Sequence, residues 1–182
     1  MRYDRNDYLH SPLVIAGRWI VDIVIVIVCA MFVNQYLGST AVNNSRSMEP
    51  TLEAGDTLLI NNAIYKLTNV KRFDLILYED EDSQTWIKRV VGLPGETIVI
   101  KDGHLYVNDS LLDCEGHYDM IYVSGIAGTE ITLGEDEYFV LGDWLEGSED
   151  SRFEQVGNIK KDSIIGKVWF RISPISDLGP VQ

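Results

Sequence analysis

The hydropathy of the chain changes character near residue 38. Upstream, residues 19–37 read WIVDIVIVIVCAMFVNQYL, and from Ile23 to Val33 only Cys29 is polar. A bilayer-crossing helix needs about 20 mostly apolar residues, and this segment with its flanks supplies them. Asp22 lies near one end, where a charge reaches the interface at lower cost than at mid-bilayer. Trp19 and Tyr36 stand at the two edges, where aromatic side chains anchor. The competing readings are a cleaved signal peptide, for which Gly38-Ser39-Thr40-Ala41 offers small residues, and a buried core helix. Dominant Val and Ile with no polar face favour an uncleaved anchor over 19–37. Arg2, Arg5 and Arg18 precede the span and Arg46 is the first basic residue after it, so the positive-inside rule predicts a cytoplasmic N-terminal tail, residues 1–18.

Downstream, short apolar runs recur between turn signals, the pattern of a mostly β domain. Thr57-Leu58-Leu59-Ile60 follows Gly55-Asp56, and Asp74-Leu75-Ile76-Leu77-Tyr78 follows Lys71-Arg72. Trp86-Ile87-Lys88-Arg89-Val90-Val91 runs into the turn Gly92-Leu93-Pro94-Gly95. Residues 97–101 and 104–107 flank Asp102-Gly103, a pair that favours a two-residue hairpin because glycine accepts positive φ. Tyr138-Phe139-Val140-Leu141 stops at Gly142-Asp143, and 164–172 is a last strand before Pro174. Only residues 62–67 have a weak helical pattern. Between 111 and 137 the alternation loosens, which predicts a small inserted cap or an extended loop. The expected organisation is a catalytic β domain over 38–110 and 138–175, the insert between them, and a tail over 176–182.

Composition changes the picture in two ways. Of 182 residues, the first 37 carry three basic and three acidic groups, so the net charge of −13 belongs wholly to the downstream part. That acidity excludes binding to a phosphate backbone, hence no nucleic acid partner. Two cysteines, Cys29 and Cys114, in unlike surroundings read as separate thiols, and no Cys/His spacing suits zinc, so neither a metal nor a cofactor is expected. Glu79-Asp80-Glu81-Asp82 reads as a solvated turn rather than a calcium site. Asn43-Asn44-Ser45 and Asn108-Asp109-Ser110 fit the glycosylation pattern by sequence alone.

Candidate chemistry centres on Ser47, in the turn Ser47-Met48-Glu49-Pro50-Thr51-Leu52 just past the span. Its activating base must come from elsewhere. Of the three histidines, His10 precedes the span, while nothing in the placement of His104 or His117 supports a Ser-His-Asp triad. A lysine base is the other route. Lys88 sits among Trp86, Ile87, Val90 and Val91, and burial favours the neutral amine that can accept the serine proton.

Five segments, in order, then carry a resemblance. Ser45-Arg46-Ser47-Met48-Glu49-Pro50-Thr51-Leu52 resembles the nucleophile box of the bacterial type I signal peptidases, membrane Ser/Lys endopeptidases. Gly55-Asp56-Thr57-Leu58-Leu59-Ile60 is similar to their second box and Lys88-Arg89-Val90-Val91-Gly92-Leu93-Pro94-Gly95-Glu96 to their lysine box. Tyr138-Phe139-Val140-Leu141-Gly142-Asp143 with Ser148-Glu149-Asp150-Ser151-Arg152 resembles the last box, and Gly166-Lys167-Val168-Trp169-Phe170-Arg171 the closing strand. The likeness covers about residues 10–175. It implies a signal peptidase/LexA-like β fold with a small cap behind one transmembrane helix. It implies Ser47 as nucleophile and Lys88 as general base, with Ser45 supplying a hydroxyl beside the Ser47 N–H to an oxyanion hole. Ser148 would hold the lysine amine, Asp150 and Arg152 would form a supporting ion pair, and Ile87 and Met48 would line the pocket for a small side chain. The implied partners are exported preproteins with small residues before the cut, and membrane lipid through the anchor. The implied location is the bacterial cell membrane with the catalytic domain outside.

The chain departs from the family pattern at three positions. Trp144 and Gly147 stand where asparagines are usual, which predicts a different path for residues 143–147. Phe73 stands where glycine is usual, so its turn must avoid positive φ or bear a strain of order 1 kcal/mol. Two rival readings remain: a self-cleaving Ser/Lys peptidase of the LexA kind, which predicts a soluble DNA-binding chain, and a membrane-anchored β-domain binding protein with impaired catalysis.

Overall fold

The computed structural model describes residues 12–36, 38–114 and 116–181. The expectations placed on Arg2, Arg5, His10, Leu37 and the side chain of Tyr36 lie outside the described residues. Helix α1 (Pro12–Tyr36) begins seven residues before the expected start. Residues 13–16 are apolar, and Pro12 suits the first helical position because its missing N–H would have no partner there. Its 25 residues rise about 37 Å at 1.5 Å each, more than the roughly 30 Å hydrocarbon core. The window Val14–Met31 is long and apolar enough to cross a membrane and is exposed along its length, unlike a core helix.

Ser39–Gln182 forms a separate compact unit. Its large antiparallel sheet runs β1 (Ser39–Val42), β2 (Thr57–Asn61), β11 (Ile164–Ser173), β3 (Leu75–Glu79), β4 (Thr85–Gly92), β9 (Glu137–Leu141) and β10 (Ile159–Lys160). A short β12 (Gly179–Pro180) flanks β11. A smaller sheet runs β7 (Ser110–Leu111), β6 (His104–Val107), β5 (Thr97–Lys101) and β8 (Ile131–Thr132). The one short helix here among the described residues is α2 (Ile64–Leu67). The unit is thus mostly β. Residues 111–137, expected as a loose insert, supply β8 and a 3₁₀ turn at Gly125–Gly128 to the smaller sheet's layer.

Local chemistry accounts for the turns. β5 and β6 meet through Asp102-Gly103 with φ of 51° and 80°, the two left-handed residues that a tight hairpin requires, and Lys101 faces His104. Phe73 takes the costly option, with φ at 67°. Its strain is offset by its N–H donating to Val90 O at 2.7 Å and by ring packing against the cluster around Val91, Phe139 and Leu141. Cys29 and Cys114 are both free thiols.

Strand β4 organises the interior. Ile87 packs into a cluster with Met48, Leu52, Leu58 and Leu75, while Val90 enters a second with Ile76, Tyr78 and Val140, and Val91 a third. β4 pairs with β3 along its first five residues, Thr85 to Arg89, but with β9 only at Arg89, Val90 and Gly92. Residues 85–88 therefore keep one open ladder edge, ending at Lys88.

Candidate active site

Ser47 sits in the turn after β1, and that turn is nailed down from below. Met48 and Leu52 are wholly buried, and Leu52 N–H donates to Met48 O at 2.8 Å. Asn43 holds its entry: the buried side-chain amide donates to Glu53 O at 2.9 Å and accepts from Ser45 N–H at 3.3 Å. That commitment leaves Asn43 poorly presented as a glycosylation acceptor. Ser47 itself is 3% exposed, and its hydroxyl is buried without a hydrogen-bond partner. An unpaired buried hydroxyl costs on the order of 1–3 kcal/mol and is seldom kept without a reason.

Lys88 is 1% exposed, and its ammonium nitrogen donates to Ser148 Oγ at 2.9 Å. Burial pushes its pKa down from 10.5 to about 8. Asp150, Glu149 and Asp143 pull it up and Arg152 adds to the fall, but desolvation dominates. At pH 7 such an amine is neutral in roughly one molecule in ten, about 300 times more often than an exposed lysine.

Gly142, just past the end of β9, brings the Ser47 backbone and Ser148, the partner of Lys88, together. A Cβ there would collide with Ser148 Oγ and would lie 2.6 Å from the Ser47 carbonyl oxygen, so both groups flank a space that only hydrogen fills. The same carbonyl accepts from Trp144 N–H at 3.0 Å. Gly142 N–H in turn donates to Asp150 Oδ2 at 3.1 Å. Asp150 is paired twice with Arg152, at 2.8 and 3.0 Å, in a fully buried bridge whose other arginine hydrogens reach Val123 O and Leu145 O. The ion pair thus fixes the strand end against which Ser47 and Ser148 rest.

Ser45 is placed differently from its assigned task. Its hydroxyl oxygen accepts from Ser47 N–H at 3.1 Å, so the amide expected to serve an oxyanion is already occupied. Rotation of Ser45 about χ1 would free the amide and turn the hydroxyl into a second donor. Ile87 and Met48 lie in one core cluster with Leu52 and Leu58, Ile87 6% and Met48 0% exposed, so both are enclosed and neither presents an open face. His104 lies on β6 and His117 packs against Phe73 at 5.7 Å between ring centres.

A second buried ion pair was not read from the sequence. Arg89 grips Asp143 through 2.8 and 2.7 Å bonds and donates to Phe73 O. Thr51 Oγ1 donates to Asp143 Oδ2, and Tyr118 OH reaches Asp143 Oδ1 at 3.4 Å. Burial holds the Tyr118 hydroxyl well above its ordinary pKa, so it stays a donor. The network ties the Ser47 turn (Thr51), the Lys88 strand (Arg89) and the loop after β9 (Asp143) to one another. The signals available were Arg89 beside Lys88 and Asp143 beside Gly142, but nothing local pairs them.

Trp144 and Gly147 leave Ser148 on Lys88. They fit each other: a Cβ on Gly147 would meet the Trp144 ring. Among the described residues no cluster of three His, Cys, Asp or Glu could hold a metal ion.

The family model for signal peptidase, peptidase S26, matches residues 16–173. A signal peptidase I of Bacillus caldolyticus is 35% identical over 168 residues, 86% of this chain and 88% of that one. Signal peptidase I P of Bacillus subtilis subsp. natto is 32% identical, covering 88% of this chain and 90% of its own. Signal peptidase IB of Staphylococcus aureus is 30% identical, with 88% and 91% covered. A solved signal peptidase I from Enterococcus faecalis V583 covers 55% of this chain and 97% of its own at 30% identity and a TM-score of 0.45.

Proposed function

The chain belongs to the signal peptidase family, peptidase S26, as a type I signal peptidase, and from that premise we propose that it removes signal peptides from exported preproteins by Ser/Lys acyl-enzyme chemistry. The observations that support the mechanism are a buried, unpartnered Ser47 hydroxyl and a desolvated Lys88 held by Ser148, whose hydroxyl lies with the Ser47 carbonyl against Gly142. Neutral Lys88 takes the Ser47 proton as Oγ attacks the scissile carbonyl. The carbonyl oxygen becomes an oxyanion beside the Ser47 N–H and a rotated Ser45 hydroxyl. The Lys88 ammonium then gives its proton to the leaving amine, the bond to the mature protein breaks, and an ester on Ser47 remains. Water, deprotonated by the same amine, hydrolyses that ester and restores the serine.

The preprotein binds extended, adding a strand to the open edge of β4 over residues 85–88, which ends at the base itself. Ile87 and Met48 limit the residue before the cut to a small one. Helix α1 anchors the enzyme in the bacterial cell membrane, and Arg2 and Arg5 ahead of it, with Arg18 in its first turns, put the N-terminus inside and the catalytic unit outside. No metal or cofactor takes part. The rival readings explain less: the LexA-like one predicts no span, and a binding protein has no use for a buried lysine held by Ser148 or for an unpartnered buried Ser47 hydroxyl.

The test is cleavage of preproteins that differ only in the residue before the cut, with the new N-terminus read by mass spectrometry. Cutting after Ala, sharply reduced with Leu and absent in Ser47→Ala, is expected. Equal cutting after Leu, or a cut by Ser47→Ala, would overturn the reading.

A further inference from the structure

The loop after β9 carries a feature that the chemistry at Ser47 does not use. Trp144 is 38% exposed, yet it is tightly built in. Its backbone N–H donates to the carbonyl of Ser47, so the side chain starts beside the nucleophile's own backbone. Its ring rests on Gly147, where a Cβ would sit 2.4 Å from two ring carbons, so position 147 holds no side chain because the indole occupies that space. Above the ring, the Arg46 guanidinium lies 5.1 Å from the ring centre. Arg46 is itself bonded twice to Glu49, at 2.8 and 2.9 Å, so its charge is paired at the protein surface. The result is an indole seated on Gly147 and beside Arg46 that stays 38% exposed.

Its position is set by the two neighbours of Ser47. Met48 turns into the core, beside Ile87. Arg46 turns outward, onto Trp144. The two neighbours of Ser47 therefore face opposite ways, one into the core and one towards solvent against Trp144. If the Met48–Ile87 side takes the residue before the cut, the Arg46–Trp144 side is left for the residues after the cut. On that reading of Met48 and Ile87, we propose that Trp144 is a specificity-determining residue, whose indole packs against the first residues of the mature protein and favours substrates with a large apolar or aromatic side chain there. Gly147 and Arg46 are positioning residues that hold the ring.

Packing on a fixed aromatic face favours a partner ring or large aliphatic group over nothing by about two- to tenfold. The experiment is a competition, in detergent, among preproteins with one Ala-x-Ala site and Gly, Leu or Phe at the first or at the second position after it. Relative kcat/KM is read from the released mature N-termini. Wild type is expected to prefer Leu and Phe over Gly at one of the two positions by that factor. Trp144→Ala should flatten the ratio to near one, and Trp144→Phe should keep most of it. Gly147→Ala, which displaces the ring, should flatten it in the wild-type background and change nothing further in Trp144→Ala. A wild-type panel that is flat at both positions overturns the proposal, as does a ratio unchanged in Trp144→Ala. A uniform fall across the panel, larger on lipid vesicles than in detergent, would assign the indole to the membrane surface and overturn it too. The preference for Ala before the cut is scored on the same chains at another position, so failure of the Met48–Ile87 reading shows separately.

Discussion

Replacing Lys88 with methionine should abolish cleavage and yet make the protein more stable at neutral pH. The amine is enclosed, and burial lowers its pKa from 10.5 to about 8. A shift of that size means that the charged form is about 3 kcal/mol worse off in the folded chain than in the unfolded one. Between pH 8 and 10.5 the unfolded chain holds a proton that the folded chain has lost, so stability rises with pH across that window. Below pH 8 both states are charged and the folded state bears the whole cost. Methionine has similar length and no charge, and removes this cost while losing one hydrogen bond to Ser148, worth about 1 kcal/mol. The net gain at pH 7 is about 2 kcal/mol, or roughly 4–8 °C in Tm for a domain of this size. The assay is denaturant unfolding of the full chain in detergent, wild type against Lys88→Met, from pH 6 to 10. The difference should be largest below pH 8 and fade towards pH 10. A variant less stable than wild type at pH 7, or a difference that ignores pH between 8 and 10, would refute the reasoning that Lys88 is a desolvated base.

Four further outcomes are expected from the same geometry. The kcat/KM of wild type should climb with pH through an apparent pKa near 8 and then level, because only neutral Lys88 accepts the proton; a pH–rate profile checks this. Ser45→Ala should lower kcat by about 10² to 10³ with little change in KM if the Ser45 hydroxyl, which accepts from Ser47 N–H at rest, turns to donate to the oxyanion; steady-state kinetics checks this. Gly142→Ala should be inactive, because its Cβ would lie 2.5 Å from Ser148 Cβ and 2.6 Å from Ser47 O, and steady-state kinetics will show it. Asp150→Ala should lose about 3–5 kcal/mol in denaturant unfolding by leaving Arg152 buried and unpaired.

What could be read from the sequence was whatever is local in the chain. The Asp102-Gly103 hairpin announces itself because two adjacent residues set its φ angles. Ser47 and Lys88 were legible as motifs in a fixed order, and the apolar environment of Lys88 was visible in its strand. The start of α1 was missed because Arg18 interrupts the hydropathy, although an arginine on an exposed helix face breaks no backbone bond. β7 and β8 were hidden for another reason: they are two residues long and exist through pairing with β6 and β5, not through any pattern of their own. The Arg89–Asp143–Thr51–Tyr118 network joins residues up to 92 positions apart and becomes visible only once the strand register is known. The positive φ of Phe73 was foreseen as one of two options, and the packing that offsets it comes from distant strands. Trp144 and Gly147 looked like two departures when read singly. They are one, since the indole fills the space that a side chain at 147 would need.

The proposed mechanism requires that Ser47 attacks and that the buried amine of Lys88, not a histidine, takes its proton. Its most direct measurement is cleavage of an Ala-x-Ala preprotein, in detergent at pH 8, by wild type, Ser47→Ala and Lys88→Ala, with His104→Ala and His117→Ala alongside. Cutting by wild type and both histidine variants, with none by Ser47→Ala or Lys88→Ala, is the predicted result. Cutting by Lys88→Ala at a rate near wild type would contradict it.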